Sequence, residues 1–445
     1  MKVLKFGGSS LATSGRIRDV AKIVLKEARR DPVIVVVSAF QGVTNQLLEC
    51  ARLAAKANRR YETAWRKVVH RHRSVIEDLL GKRHSARLRS QVDTLLNELH
   101  EVLHGIQLLG HGPPRALDLV ASFGERLSAL IISAHLNRSH PARFADARQF
   151  IVTDDQFMSA NVIFGKTNRM ARRYFAELFR SNRPRPIPVV TGFIGSTSDG
   201  QTTTIGRNGS DYTAAILGAA LGAEIIEIWT DVDGVLSADP NVVVLPQMTY
   251  EEAMELSYFG AKVLHPASIA PAVARGIPLL VKNTFRPEAP GTLISCGGKN
   301  GDQLARGITS IAGLTLLTLR GLSMVGVPGN AERLFRALAS RGINVILISQ
   351  ASSEHTICFA IRDTDAAAAN AAVRQEFRLE LHHRLTSLDE KSNQTIIAVV
   401  GDQMKGHPGI SGKMFGALGR HNINISAIAQ GASERNISCV IDTPQ

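Results

Sequence analysis

No stretch of the 445-residue chain reads as a membrane span, a leader or a disulfide framework. No apolar run approaches the ~18 residues of a transmembrane helix, so no membrane partner is expected. The N-terminus enters an apolar strand at once, without the cationic region and apolar stretch of a signal peptide, and a cytoplasmic location is expected. Cysteine is scarce. Cys50, Cys296, Cys358 and Cys439 stand far apart with no C-x-x-C pair, which argues against a zinc site and against paired disulfides; no metal-ligand set is expected. Acidic residues fall short of basic ones, 39 against 52, for a net charge of +13. Much of the excess lies between Arg59 and Arg89, where ten Arg or Lys face only Glu62, Glu77 and Asp78. No recognised nucleic-acid motif accompanies them, so the stretch reads as a solvated helical face and no nucleic-acid partner is expected.

What is present is a globular composition, 44% apolar, in a chain long enough for two or more domains. Val3-Leu4-Lys5-Phe6-Gly7-Gly8-Ser9-Ser10 breaks an apolar run on two glycines and two hydroxyls before helix-forming residues resume. Such a strand, loop and helix let backbone amides approach an anion, with the positive helix end behind them and the Lys5 ammonium beside them. Ile17 to Arg30 has amphipathic helix spacing, and Pro32 to Ser38 is the continuous apolar run of a parallel strand buried on both faces. That order implies an open α/β sheet with ligands beyond the carboxyl ends of its strands. Residues 46–135 read as helical, with Leu95, Leu96, Leu99, Val102, Leu103 and Ile106 forming one stripe.

A second α/β half follows. Ile187 to Phe193 is a strand ending at a glycine, and Gly206 to Tyr212 again sets glycines and charges before a small-residue helix. Ile225 to Gly234 runs a strand into an acidic turn, and Ile277 to Asn283 reads as the last strand. Pro287, Pro290 and Gly291 punctuate the chain, placing a domain boundary near 296. Beyond it Ile343 to Gln350 returns, offset by 80, as Ile423 to Gln430, each copy preceded by a helix and followed by Ser-Glu and an apolar strand. Strand, helix, hairpin is the front of a ferredoxin-like unit. The second copy lacks its final helix and strand; either the segment Gly307 to Ile311 completes it, or the chain is cut short.

The motifs at Lys5–Ser9, Gly206–Asp211 (GRNGSD), Thr230–Gly234 (TDVDG) and Phe259–Pro266 (FGAKVLHP) together resemble the aspartate kinase family of amino-acid kinases, nearest to the kinase half of the bifunctional aspartokinase–homoserine dehydrogenases. The repeats resemble ACT domains. The resemblance implies an amino-acid kinase fold over 1–296, a first ACT-like module over 307–387, and a second over 388–445. It implies transfer of a phosphoryl group from ATP, with its Mg2+, to the β-carboxylate of L-aspartate, an acceptor that needs no general base because it is ionised at pH 7.

On this resemblance Ser38, Thr44, Glu125, Phe193, Arg207, Ser210 and Asp211 surround aspartate, with Arg207 matched to the α-carboxylate and Glu125 and Asp211 to the α-ammonium. Lys5, Gly7, Gly8, Ser9, Thr230, Asp231 and Lys262 surround the nucleotide, and Lys5, Gly8 and Asp211 serve catalysis. Read without the resemblance, Thr44 is a helix cap and Glu125 a solvated first-turn acid. Leu236 and Asn241 depart from the Tyr and Arg common in the family, which implies weaker ATP affinity. Gln350 and Gln430 match glutamines that contact an effector, threonine rather than lysine, and ACT pairing implies a homodimer or larger assembly. A kinase for another acidic amino acid and a non-catalytic sensor are the rival readings.

Overall fold

Val33–Val37, a run of Val-Ile-Val-Val-Val, is buried at every position, as a strand covered on both faces must be. Leu4, Phe6, Val33, Val35 and Val37 belong to one large apolar cluster, while Val3, Ile34 and Val36 are buried on the other side of the same sheet. The computed structural model describes residues 1–182, 184–206, 208–237, 243–258, 264–297, 304–321, 324, 326–350 and 355–443. These fall into two compact units.

The first unit contains β1 (Lys2–Phe6), α1 (Ser14–Ala28), β2 (Val33–Val37), α2 (Val43–Ala55), α3 (Arg60–His84), α4 (Ala86–Leu109), α5 (Pro114–Leu136), β3 (Ala142–Ala145), α6 (Phe164–Arg180) and β4 (Ile187–Thr191). A hairpin, β5 (Ile194–Ser196) and β6 (Thr202–Thr204), leads to α7 (Gly209–Leu221), β7 (Ile225–Thr230) and β8 (Gln247–Thr249). Helix α8 (Tyr250–Tyr258) leaves this unit after its first residue, and the chain returns with α9 (Pro266–Val273), β9 (Leu279–Asn283) and β10 (Thr292–Ser295).

The sheet order is β3-β4-β2-β1-β7-β9-β10-β8, parallel from β3 to β9. Strand β10 is antiparallel to β9 and parallel to β8. So β9 is not the last strand: the segment after Pro287, Pro290 and Gly291 turns back and pairs as β10, because Gly291 takes φ +81 with Val281 O only 2.2 Å from where a Cβ would stand. From β1 the chain first builds outward through β2 and β4, then crosses to β7 and β9, so the reversal point lies beside β1. Helix α5 is long and apolar enough to cross a membrane by length and composition, but most of it is buried inside the unit. Its apolar faces make core, and it carries Asp118, Glu125 and Arg126 inward.

The second unit contains β11 (Gly307–Gly321), α10 (Asn330–Ala339), β12 (Leu347–Gln350), β13 (Thr356–Arg362), α11 (Ala366–Glu376), α12 (Arg378–His382), β14 (Thr386–Val400), α13 (Ile410–Arg420), β15 (Ile425–Gln430) and β16 (Asn436–Asp442). Stretches within 236–243 and 251–262 also belong to it. Its sheet order is β12-β13-β11-β14-β16-β15. The 15-residue strands β11 and β14 each serve two ladders, with a register shift between Ile311 and Leu314 where Gly313 adopts φ +73. Gly307–Ile311 pairs with Val400–Ile396, and Leu316–Gly321 with Lys391–Thr386. Each half therefore has four strands in the order of a ferredoxin-like unit, and the piece before the first half supplies an edge of the second. Of the first repeat's long apolar run only Leu347–Gln350 is strand. Ser353 and Glu354 lie outside the described residues.

Candidate active site

The glycine loop follows β1 directly. Its register with β2 and β7 ends at Phe6, opposite Val37 and Trp229, so three strand ends meet there. The pairing with β7 runs one residue further: the Gly7 N–H donates to Trp229 O at 3.2 Å. The Gly7 amide is thus engaged within the sheet extension. Among the described residues the Gly8 and Ser9 amides, in the first turn of a 3-10 helix over Gly8–Leu11, have no acceptor. Gly8 is also a contact point, since a Cβ there would stand 3.1 Å from Ala39 O in the loop after β2.

A connected set of contacts spans the strand ends. Lys5 Nζ lies 2.7 Å from Asp211 Oδ1, and both side chains are nearly buried. Asp211 and Ser210 occupy the first turn of α7, with Asn208 at its N-cap in the left-handed region. The Ser38 hydroxyl donates to Ser210 Oγ at 2.8 Å, tying the end of β2 to that turn. Next in the chain, the Ala39 N–H donates to Glu125 Oε1 at 3.1 Å. Glu125 lies in the middle of α5 and is 3% exposed, so it is no solvated first-turn acid. Among the described residues its second oxygen, Oε2, is buried with no hydrogen-bond partner, and desolvation pushes its pKa up to about 8. A buried carboxylate with one empty oxygen is suited to receiving a cation.

Phe193 holds φ +67, an uncommon conformation for a bulky residue, and its N–H donates to Thr213 Oγ1 at 3.0 Å. Two glycines make room for the close packing there. A Cβ on Gly192 would come within 2.6 Å of Ser210 Oγ, and one on Gly209 within 2.6 Å of the Phe193 ring. Thr44 is half-buried in the first turn of α2, but the N-cap is Gly42 at φ +80, so Thr44 caps nothing. Thr230 ends β7, and exposed Asp231 accepts from its hydroxyl at 3.2 Å. Arg207, Asn241 and residues 259–263, including Lys262, lie outside the described residues. Gln350 and Gln430 sit in the second unit, both exposed, each ending an edge strand opposite Ile357 and Ile437 respectively.

Sequence reasoning missed Asp118. It is fully buried on α5, two turns before Glu125, and accepts from Thr204 Oγ1 at 2.6 Å, Thr204 N at 3.1 Å and Met158 N at 2.9 Å. Burial raises its pKa. Thr204 ends β6 just before the Gly206 loop, so one helix grips both substrate-side loops through two buried carboxylates. Ser128, also on α5, donates to Ser38 O at 2.6 Å. The signal in the sequence was the seven-residue spacing of the two acids of a largely apolar helix. Among the described residues no group of three His, Cys, Asp or Glu could hold a metal ion.

The chain matches the amino acid kinase family over residues 1–283 and the ACT domain over 317–377 and 397–445. It is 38% identical over 452 residues to the bifunctional aspartokinase/homoserine dehydrogenase 1, chloroplastic, of Zea mays, covering 99% of this chain and 48% of that protein. It is 33% identical to aspartokinase 3, chloroplastic, of Arabidopsis thaliana, covering 99% of this chain and 78% of that protein. The structure of E. coli aspartokinase III in complex with aspartate and ADP superposes with a TM-score of 0.83 at 30% identity, covering 99% of this chain and 96% of that one. The same enzyme in complex with lysine and aspartate gives 0.81. The chain spans about half the length of the bifunctional relatives it matches.

Proposed function

The chain belongs to the aspartokinase family, and on that premise we propose that it transfers the γ-phosphoryl group of MgATP to the β-carboxylate of L-aspartate, giving ADP and β-aspartyl phosphate. One observation carries the reading: the contacts run unbroken from Lys5 through Asp211, Ser210, Ser38 and Ala39 to the empty oxygen of Glu125. An anion-binding loop with its lysine stands at one end, and a cation-seeking carboxylate at the other. A zwitterionic acceptor fits between them, its α-ammonium on Glu125 and its β-carboxylate toward Lys5.

The acceptor is already ionised at neutral pH, so the protein's task is alignment and charge neutralisation. Lys5 and the Gly8 and Ser9 amides suit the transferring phosphoryl group, and Arg207 suits the α-carboxylate. Asp211 holds the Lys5 ammonium until phosphate arrives. Magnesium binds through phosphates, water and one or two carboxylates, a donor set that exposed Asp231 fits, and when bound it neutralises phosphate charge. Thr230 and Lys262 complete the nucleotide side. The four cysteines are free, which fits a reducing compartment, the cytoplasm.

The modules over 307–387 and 388–445 are read as the regulatory part. Gln350 and Gln430, at equivalent strand ends, are proposed to contact threonine as feedback inhibitor. Ile348 and Ile428, large, exposed and equivalent on the two edge strands, suit pairing between chains in a homodimer or larger assembly. Hydroxamate trapping with MgATP and L-aspartate, against L-glutamate and with threonine or lysine added, tests the activity and the effector. Aspartate-dependent product suppressed by threonine is expected. Suppression by lysine alone overturns the effector, and no product from folded protein favours a non-catalytic sensor.

A further inference from the structure

Helix α3 lies in the basic stretch that composition left without a role. Several of its charges are engaged internally: Arg73 pairs with Asp93 and Glu77 with Arg89. Arg71 is different. Its Nη1 donates to Gln41 O at 2.7 Å and its Nη2 to Ala12 O at 3.2 Å. Gln41 belongs to the loop after β2, which carries Ala39 and leads to Thr44; Ala12 closes the glycine loop just after the 3-10 turn. One guanidinium thus bridges the two loops that face acceptor and phosphate. Among the described residues it has no acidic partner, so two main-chain carbonyls are its partners. Its neighbour grips the same loop: the His72 ring is fully buried and stacks on Phe40 at 5.2 Å between centroids, with Nδ1 donating to Val68 O at 2.7 Å. The loops already touch at Gly8, where the absent Cβ admits Ala39 O, and Ser38 N–H donates to Phe6 O at 3.2 Å. Gly8 and Ser38 hold the loops together on the strand side, and Arg71 holds them on the helix side.

We propose that Arg71 is a positioning residue that fixes the phosphate loop and the acceptor loop at one separation, so that attacking carboxylate and γ-phosphate meet in line. The inference rests on the aspartate kinase reading, and its function is alignment rather than binding. Losing it leaves each loop able to hold its own ligand and lowers the rate at which the two ligands react. A lysine ammonium is a single centre and does not reproduce two separate Nη donors aimed at two carbonyls.

The test compares full-length wild type, Arg71→Met and Arg71→Lys by hydroxamate kinetics and by backbone hydrogen exchange. Expected is a fall in kcat of about 10–100-fold for Arg71→Met, with KM for aspartate and for ATP each within about threefold, and a smaller fall for Arg71→Lys. Exchange is expected to rise together in peptides covering 7–13 and 38–45. Unchanged kcat in both variants overturns the proposal, as does increased exchange confined to 60–84, which would make Arg71 a tether for α3 alone. Should Arg71→Met fail to fold, Arg71→Lys decides on the same criteria. If wild type makes no product with aspartate, the kinase reading fails, and joint or absent loosening of the two loops still decides the clamp.

Discussion

Glu125 gives the proposed site a pH signature. Burial raises its pKa from 4.5 to about 8, and at 1.36 kcal/mol per unit that shift corresponds to about 5 kcal/mol favouring the protonated form. At pH 7 only about one molecule in ten then carries the carboxylate that an α-ammonium requires. Binding of aspartate must therefore release a proton, and KM for aspartate should fall with rising pH between 6 and 8, approaching tenfold per unit at the acid end. Steady-state kinetics over that range measures it, with Glu125→Gln as the control that removes the titration. Stability moves the opposite way. The folded pKa lies above the unfolded one, so this group's contribution is fully present below pH 4.5 and is lost as pH rises through 8. From pH 6 to 8 wild type should lose about 2 kcal/mol that Glu125→Gln does not, read from urea midpoints. A KM for aspartate that is flat in wild type, or that slopes equally in Glu125→Gln, refutes the assignment of the ammonium to this oxygen.

Lys5→Met should abolish turnover and also destabilise the fold, because Asp211 would keep a buried charge without its cation; normal hydroxamate formation would remove Lys5 from the chemistry. Asp118→Asn should raise KM for aspartate by about tenfold and leave that for ATP unchanged, since its amide faces donors where a carboxylate accepted three hydrogen bonds, at about 1–3 kcal/mol. An equal change in both constants would assign Asp118 to general stability. Gln350→Ala should raise the threonine concentration needed for half-inhibition without altering uninhibited kcat, and an unshifted titration curve would sink the effector site.

Much of the frame was legible because it obeys periodicity. A five-residue run buried on both faces and glycines at the strand end each carry their meaning in one local window, and the repeat offset by 80 shows by comparing two such windows. The failures come from contacts that no window contains. Strand β10 was hidden because its residues follow two prolines and it pairs backward onto β9. Nothing local says that Trp229, more than 200 residues away, supplies a carbonyl for the Gly7 amide.

The same reasoning explains why the loop anchors were the hardest to read. Read without the resemblance, Glu125 looks like an ordinary surface acid, because its partner is a main-chain N–H and a backbone donor leaves no trace in residue identity. Asp118 and Arg71 share that property: their partners are mostly peptide groups of distant loops, reached from helices whose composition suggests only packing or solvent. Yet each is an energetic exception within its own helix. A carboxylate inside an apolar helix must find donors or become protonated, and the two on α5, seven residues apart, fall on one face of the helix. That constraint links the acceptor loop and the Gly206 loop to one rigid element. Arg71 adds the glycine loop to the same assembly. The three loops that meet at the ends of β1, β2 and β6 are therefore held by side chains from α3 and α5, and substitution of Asp118 or Arg71, neither of which is placed against a ligand, should still alter catalysis.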